Sequence, residues 1–258
     1  MEEEVLRGGY VNSVVRVGDT VRRVPTKSTP TIHRLLAHVR ERGVTWVPEP
    51  LGYDEHGREI LTFVPGVVPH ETPEWVWSEV VLTDVARWLR QWHEASIGFD
   101  VTGAIWGLET RDPAEVICHN DFAPYNCVFN QGELVGVIDF DHAHPGNRQW
   151  DLAYALYRFA PITAPSNPDG YGALAEQCRR VRLFCDAYGL QDRSQLVHTI
   201  QLRIAYMADY LRYGAANGDS RLQSNIDAGH LAIYTTDHAY LAAQAEQFGR
   251  ALGQAIDC

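Results

Sequence analysis

The sequence has no apolar run approaching the ~18 residues of a membrane-spanning helix, and no CxxC pair among its five cysteines. Cys118, Cys127, Cys178, Cys185 and Cys258 are odd in number and irregularly spaced. They read as reduced, largely buried thiols, which argues against a zinc site and for a reducing compartment. Positive charge is also scarce: 22 Lys and Arg stand against 33 Asp and Glu, a formal net charge of −11. That balance lacks the basic footprint of a nucleic-acid binder. It lends slight support to a cationic small-molecule partner, although most acidic proteins are merely soluble. Met1 is followed by Glu2, Glu3 and Glu4, the opposite of a basic signal-peptide start. A cytoplasmic location without a membrane partner is therefore expected. No internal repeat or low-complexity tract stands out.

What is present is enough apolar residue, 45% of 258, to bury a substantial core in one large domain or two lobes. The first sixty residues look β-rich. Val14, Val15 and Val17, then Val21 and Val24, make two short β-branched segments around Gly18-Asp19, a strong hairpin turn. Gly8-Gly9 precedes Tyr10-Val11, so a glycine turn could open the sheet, or be an ordinary turn. Ile32, Leu35, Leu36 and Val39 fall at helical spacing over 31–42. A second strand pair flanks "DEHG" (54–57), with "EILTFV" (59–64) as its second member. Beyond Pro65-Gly66 the composition changes. Thr72-Pro73-Glu74 is a helix start, and Val81, Val85, Trp88, Leu89 and Trp92 share one face of a helix over about 79–95. Residues 127–138 read as a hairpin around Asn130-Gln131-Gly132. Asp151 can cap a helix through 152–159, and from about 171 the pattern is helical to the end, broken near 189–192 and 214–220. The expectation is a β-rich N-terminal lobe (1–64), a hinge near 62–66, and a larger helical lobe (65–258).

One stretch concentrates polar residues between apolar ends: "ICHNDFAPYNCVF", residues 117–129. Asn126 sits immediately before the expected hairpin and Asp139 immediately after it. The hairpin brings the two back together at its open end. Two hard oxygen donors, one anionic, with room for phosphate oxygens and water, suit a divalent cation. Asp121, five residues before Asn126 across a loop, can face the same pocket without ligating the metal. A carboxylate there can orient a hydroxyl and accept its proton. Turn chemistry explains each of these residues alone, but not their combination, spacing and order. Phosphoryl transfer needs this division of labour, because its catalysis is mostly positioning and charge neutralisation.

"HNDFAPYN" followed by "GVIDFD" resembles the catalytic and metal-binding motifs of the aminoglycoside phosphotransferase and choline kinase superfamily, relatives of protein kinases, and the order of motifs matches over most of the chain. The resemblance implies an α+β, two-lobed protein-kinase-like fold, with a small antiparallel β-rich N-lobe and a larger, mostly helical C-lobe. It implies Asp121 as catalytic base, Asn126 and Asp139 as Mg²⁺ ligands, and His119 as a brace of the loop rather than a chemical participant. "QWDLAYAL" (149–156) looks like the family's segment after the metal aspartate, with Asp151 as a structural cap. Asn120 and Asp141 tilt the local match towards choline and ethanolamine kinases, whereas the short N-terminal lobe and the length look more like bacterial antibiotic phosphotransferases. His142 and His144 read as ordinary loop histidines.

In the N-terminal lobe, "GGYVNSVVRV" occupies the place of the phosphate-covering loop, with Asn12 and Ser13 near its tip. "TVRRVP" should carry the basic residue that grips the nucleotide phosphates. Position aligns Arg23, although Arg22 is adjacent and faces the other side of the strand. Relatives often use Lys there, and Arg offers a planar fork instead of a mobile ammonium. The glutamate expected on the following helix is missing: Ile32 or His33 stands in its place, and no acid occurs between Asp19 and Glu41. Backbone groups of Thr62, Phe63 and Val64 would meet the base. Asp141, Asp209 and Asp237 are candidates to meet a cationic substrate, Asp141 alternatively a second metal ion or its own loop. The implied activity is transfer of the γ-phosphoryl group of ATP or GTP, with Mg²⁺, to a hydroxyl of a small molecule. An aminoglycoside or similar antibiotic is the leading acceptor and an amino alcohol of the choline or ethanolamine type the alternative. A non-catalytic nucleotide-binding regulator is a reading of another class, motivated by the missing glutamate and the Arg-for-Lys exchange.

Overall fold

An antiparallel sheet forms the N-terminal part of the fold. In the computed structural model, which describes residues 3–6, 14–69 and 71–253, strands β1 (Glu4–Val5), β2 (Val15–Val17), β3 (Thr20–Arg23), β4 (Pro50–Tyr53) and β5 (Glu59–Thr62) form one antiparallel sheet in the order β1-β2-β3-β5-β4. Gly18, at φ 60°, makes the turn between β2 and β3, a conformation glycine adopts without a Cβ clash. Helix α1 (Thr29–Glu41) carries Pro30 in its first turn and buries Ile32, Leu35, Leu36 and Val39, the face its spacing predicts.

The stretch beginning Thr72-Pro73 opens as a single 3-10 turn, Glu74–Trp77, and the α-helix proper, α2, runs over Glu79–Ser96. Strand β6 (Val116–Cys118) leads into the polar loop. Hairpin β7 (Cys127–Asn130) and β8 (Glu133–Val137) follows, and β9 (His144–Gly146) returns to pair with β6. The β6–β9 pair has no sequence signature. Each strand is three residues long and wholly buried, and β9 contains Pro145, so neither alternation nor propensity marks it.

The remaining elements are helices: α3 (Arg148–Phe159), α4 (Leu174–Tyr188), α5 (Leu196–Ala216), α6 (Ser220–Asp227) and α7 (His230–Ala251). One expectation needs correcting. Because α3 starts at Arg148, Asp151 lies inside its first turn and is not its cap. Asn147 Oδ1 accepts the amide of Gln149 at 2.7 Å and satisfies the free helix end instead. A break beyond those expected falls at Gly229, φ 90°, between α6 and α7.

The chain divides into two compact units, Met1–Val76 with Arg87–Asp151, and Trp77–Ala86 with Leu152–Cys258. In the first, Leu35, Val39, Leu89, Trp92, Phe122, Phe129 and Val137 are buried. In the second, α5 packs on α6 and α7, and Tyr157, Phe184, Ile204 and Leu241 are buried. Among the described residues no helix is long and apolar enough to cross a membrane.

Candidate active site

The polar loop is held from beneath by one carboxylate. Asp151 Oδ2 accepts the amide of His119 at 2.6 Å, and Oδ1 accepts the amide of Asn120 at 2.7 Å. His93, on α2, donates from Nε2 to Asp151 Oδ2 at 3.0 Å. Burial of Asp151 alone would raise its pKa. The hydrogen bond and charge of His93, helped by His119, outweigh burial and hold the carboxyl below its ordinary value.

His119 is fully buried. Its Nδ1 accepts the Asp121 amide at 3.3 Å and its Nε2 donates to the Ile138 carbonyl at 3.3 Å. The ring therefore ties the loop before the hairpin to the strand end after it. Burial pushes its pKa down, which favours the neutral tautomer those two bonds require. Asn120 adopts φ 65°, and its side-chain Nδ2 donates to the carbonyls of His142 at 3.0 Å and Cys118 at 3.4 Å. The residue that tilted the motif towards amino-alcohol kinases is thus a buried clasp of the loop.

At the loop's open side stands Asp121, whose side chain is 20% exposed. The hydroxyl of Tyr125 donates to Oδ1 at 2.7 Å, and Asn126 Nδ2 donates to Oδ2 at 2.9 Å and to the Asp121 carbonyl at 2.9 Å. Burial raises the pKa of Asp121. Nearby His142, whose Nδ1 lies 3.9 Å from Oδ2, and the Tyr125 hydrogen bond oppose that rise.

The same bonds turn Asn126 so that its Oδ1 points away from Asp121. The Ile138 amide donates to the Asn126 carbonyl at 2.9 Å, so the hairpin's open end holds Asn126 beside Asp139. Asp139 sits at φ 62°, a conformation that costs a non-glycine residue free energy and recurs at functional sites. Its side chain is 49% exposed. The donor set, one amide oxygen and one carboxylate, is hard and incomplete. That fits Mg²⁺, which takes few protein oxygens and completes its shell with phosphate and water. Among the described residues no group of three or more His, Cys, Asp or Glu side chains converges on a metal site.

Of the two strand arginines, Arg23 faces this site. Its Nη1 and Nη2 donate to Asp141 Oδ2 and Oδ1 at 3.0 and 2.6 Å, and Nη1 lies 3.9 Å from Asp139. Arg22 turns to Asp54, 3.7 Å away. Burial pulls the Arg23 pKa down, but Asp141, Glu59 and Asp139 together raise it. For Asp141 burial is the largest influence and raises its pKa, Asp139 adds to this, and Arg23 works against it.

Three residues joined to this cluster were not expected from the sequence. Glu59 accepts from Arg23 Nε at 2.6 Å, Tyr125 holds Asp121, and His93 holds Asp151. Only Tyr125, within the motif, left a local signal. Thr62 and Phe63 donate their amides to the carbonyls of Glu49 and Asp19, at 3.0 and 2.8 Å. Asn12 and Ser13 lie outside the described residues.

Asp209 and Asp237 belong to the second unit. Asp209 is exposed and pairs with Arg212 at 2.8 Å. Asp237 is buried and accepts from the Tyr157 hydroxyl, the Ala164 amide and Asn167 Nδ2 at 2.7, 2.7 and 2.6 Å. Those three bonds tie α7 to α3 and the loop after it.

The profile described as "Phosphotransferase enzyme family" matches residues 76–185. The "Trifolitoxin immunity protein" of Rhizobium leguminosarum bv. trifolii is 31% identical over 205 residues, 76% of this chain and 77% of that protein. The chain belongs to the phosphotransferase enzyme family. Two solved structures share the fold of this phosphotransferase. One is a choline/ethanolamine kinase family protein from Mesorhizobium loti, at TM-score 0.63 and 17% identity over 98% of this chain and 92% of that one. The other is the GDP complex of wild-type aminoglycoside 2'-phosphotransferase-IIIa, at TM-score 0.61 and 16% identity over 93% of each chain. The fold is protein-kinase-like, with an antiparallel sheet in its N-terminal part and helices in its C-terminal part.

Proposed function

We propose that this phosphotransferase moves the γ-phosphoryl group of ATP or GTP to a hydroxyl of a small molecule, an aminoglycoside or similar antibiotic. The observation that carries the reading is the Asp121 carboxylate, 20% exposed at the open side of the loop. It is fixed by Tyr125 and Asn126 on the same loop that aims Asn126 Oδ1 away from it.

Asp121 orients the acceptor hydroxyl and takes its proton as the oxygen attacks phosphorus. Arg23 turns its two Nη groups to the donor phosphates, a bidentate geometry it already makes with Asp141. Asn126 Oδ1 and the Asp139 carboxylate would hold Mg²⁺, which when bound supplies neutralisation of the phosphate oxygens. Asp151 and His119 keep the loop in register. With the Thr62 and Phe63 amides engaged by the carbonyls of Glu49 and Asp19, the nucleotide base would be met by other groups of that segment, the Val64 backbone among them. Asn12 and Ser13 are candidate contacts of the donor phosphates.

A relative named for immunity to trifolitoxin supports a defensive acceptor, a toxin or antibiotic, over a housekeeping amino alcohol. The test is nucleotide-dependent phosphorylation across aminoglycosides, nucleoside antibiotics, choline and ethanolamine, with Mg²⁺ and with chelator. Turnover on an antibiotic that disappears in Asp121→Ala supports the reading. Turnover confined to choline or ethanolamine reassigns the acceptor, and nucleotide binding without turnover on any acceptor rejects catalysis.

A further inference from the structure

In protein kinases the strand lysine that grips the nucleotide phosphates is oriented by a glutamate on the following helix. Here the strand residue is Arg23, and α1 offers no acid before Glu41, its last residue. The sheet supplies one from the opposite direction. Arg23 on β3 and Glu59 on β5 are directly paired across the antiparallel ladder. Arg23 Nε donates to Glu59 Oε1 at 2.6 Å. The second oxygen of Glu59 is bonded by His33 Nε2 at 2.9 Å, and His33 stands on α1, its ring stacked at 5.4 Å on Tyr53 of β4. Glu59 is 1% exposed, so both of its oxygens serve the protein and neither reaches a ligand.

We propose that Glu59 is the positioning residue for Arg23 and that His33 couples it to α1, a strand acid and a helix histidine doing together what a helix acid does in protein kinases. The proposal rests on the assignment of Arg23 to the nucleotide phosphates. It accounts jointly for the missing helix glutamate and the arginine at position 23. A guanidinium divides its donors: Nε is tethered to Glu59 while Nη1 and Nη2 stay aimed at the Asp139–Asp141 side. A lysine ammonium is a single point and cannot hold one partner along an edge while presenting a planar fork to another.

A merely structural Glu59 would change stability alone, so the test reads nucleotide affinity. MgATP and MgGTP titrations by calorimetry are run on wild type, Arg23→Ala, Glu59→Gln and the double variant, each checked for folding by its melting curve. Glu59→Gln is expected to weaken nucleotide binding about tenfold, and to have little further effect once Arg23 is alanine, the non-additivity of two residues acting as one. His33→Ala should reproduce part of the loss and His33→Gln, which keeps a neutral donor, should restore it. Should Glu59→Gln fail to fold, His33→Ala, His33→Gln and Arg23→Lys carry the test, the last expected to bind nucleotide as weakly as Arg23→Ala. If wild type binds and folded Glu59→Gln binds equally well, or its effect simply adds to that of Arg23→Ala, the positioning role is overturned while the functional reading stands. If wild type binds neither nucleotide, that reading fails and this one with it.

Discussion

The Asp151 carboxylate receives the His119 amide at 2.6 Å and, on its other oxygen, the next amide of the same loop. A buried anion beneath two consecutive main-chain N–H groups fixes the loop's backbone. Charge-assisted bonds of this kind contribute about 1.5–3 kcal/mol each. Asp151→Ala removes the carboxylate that receives both amides and His93 Nε2 and should cost about 3–5 kcal/mol, read from urea unfolding. Asp151→Asn, which keeps one acceptor oxygen, should recover part of that loss.

Acid stability follows from the same pair, with two signs to work out. The Asp151 pKa is held below its ordinary 3.8, so its contribution is full above that value and is lost as pH falls through the lower, folded one. The His119 pKa is also lowered, from 6.5. The unfolded chain therefore takes up the proton first, and stability begins to fall once pH drops below 6.5. Two separate declines are expected on acidification. His119→Gln should flatten the first, measured as melting temperature between about pH 7 and about pH 5, and leave the second in place.

Local spacing carried much of this in the sequence. The Gly18-Asp19 turn, the helical stripe of α1, the hairpin after Asn126 and the alternation that separates Arg22 from Arg23 are all short-range patterns. Partners joined through the fold were not legible. Glu59 meets Arg23 from 36 positions away, His93 meets Asp151 from 58, and nothing in either neighbourhood announces the meeting. Asp151 was visible as a polar residue at a helix start, yet its target could not be known before β6 and β9 were paired. Asp209 and Asp237 differ in a way the sequence does not show. A carboxylate on a helix reads alike from sequence whether it lies at the surface with an arginine or is buried holding a loop.

The segment after β5 approaches the β7–β8 hairpin through a glycine. Val67 and Phe129 exchange backbone hydrogen bonds at 2.8 and 2.9 Å. A Cβ on Gly66, at φ 151°, would lie 2.6 Å from the Phe129 carbonyl oxygen and 2.6 Å from Val128 Cγ1. Gly66→Ala should therefore destabilise the protein by about 1–3 kcal/mol. Gly57→Ala, at φ 75° with nothing within 4 Å, carries backbone strain alone and should cost about 1 kcal/mol. Thermal melts of the two variants side by side separate the clash from the strain.

Asp121 and Tyr125 test the chemistry most directly. Removing the carboxylate in Asp121→Ala should lower kcat by about a thousandfold, the usual scale of a lost general base, with the nucleotide KM little changed because Arg23, Asn126 and Asp139 remain. Tyr125→Phe deletes one hydrogen bond, 2.7 Å to Oδ1, while Asn126 still holds Oδ2 at 2.9 Å. The base is then present but free to swing about its remaining tether, so kcat should fall only about threefold to tenfold. In the Asp121→Ala background Tyr125→Phe has nothing left to orient and should change nothing further. Equal losses from Tyr125→Phe in both backgrounds would mean that the hydroxyl acts on something other than the base.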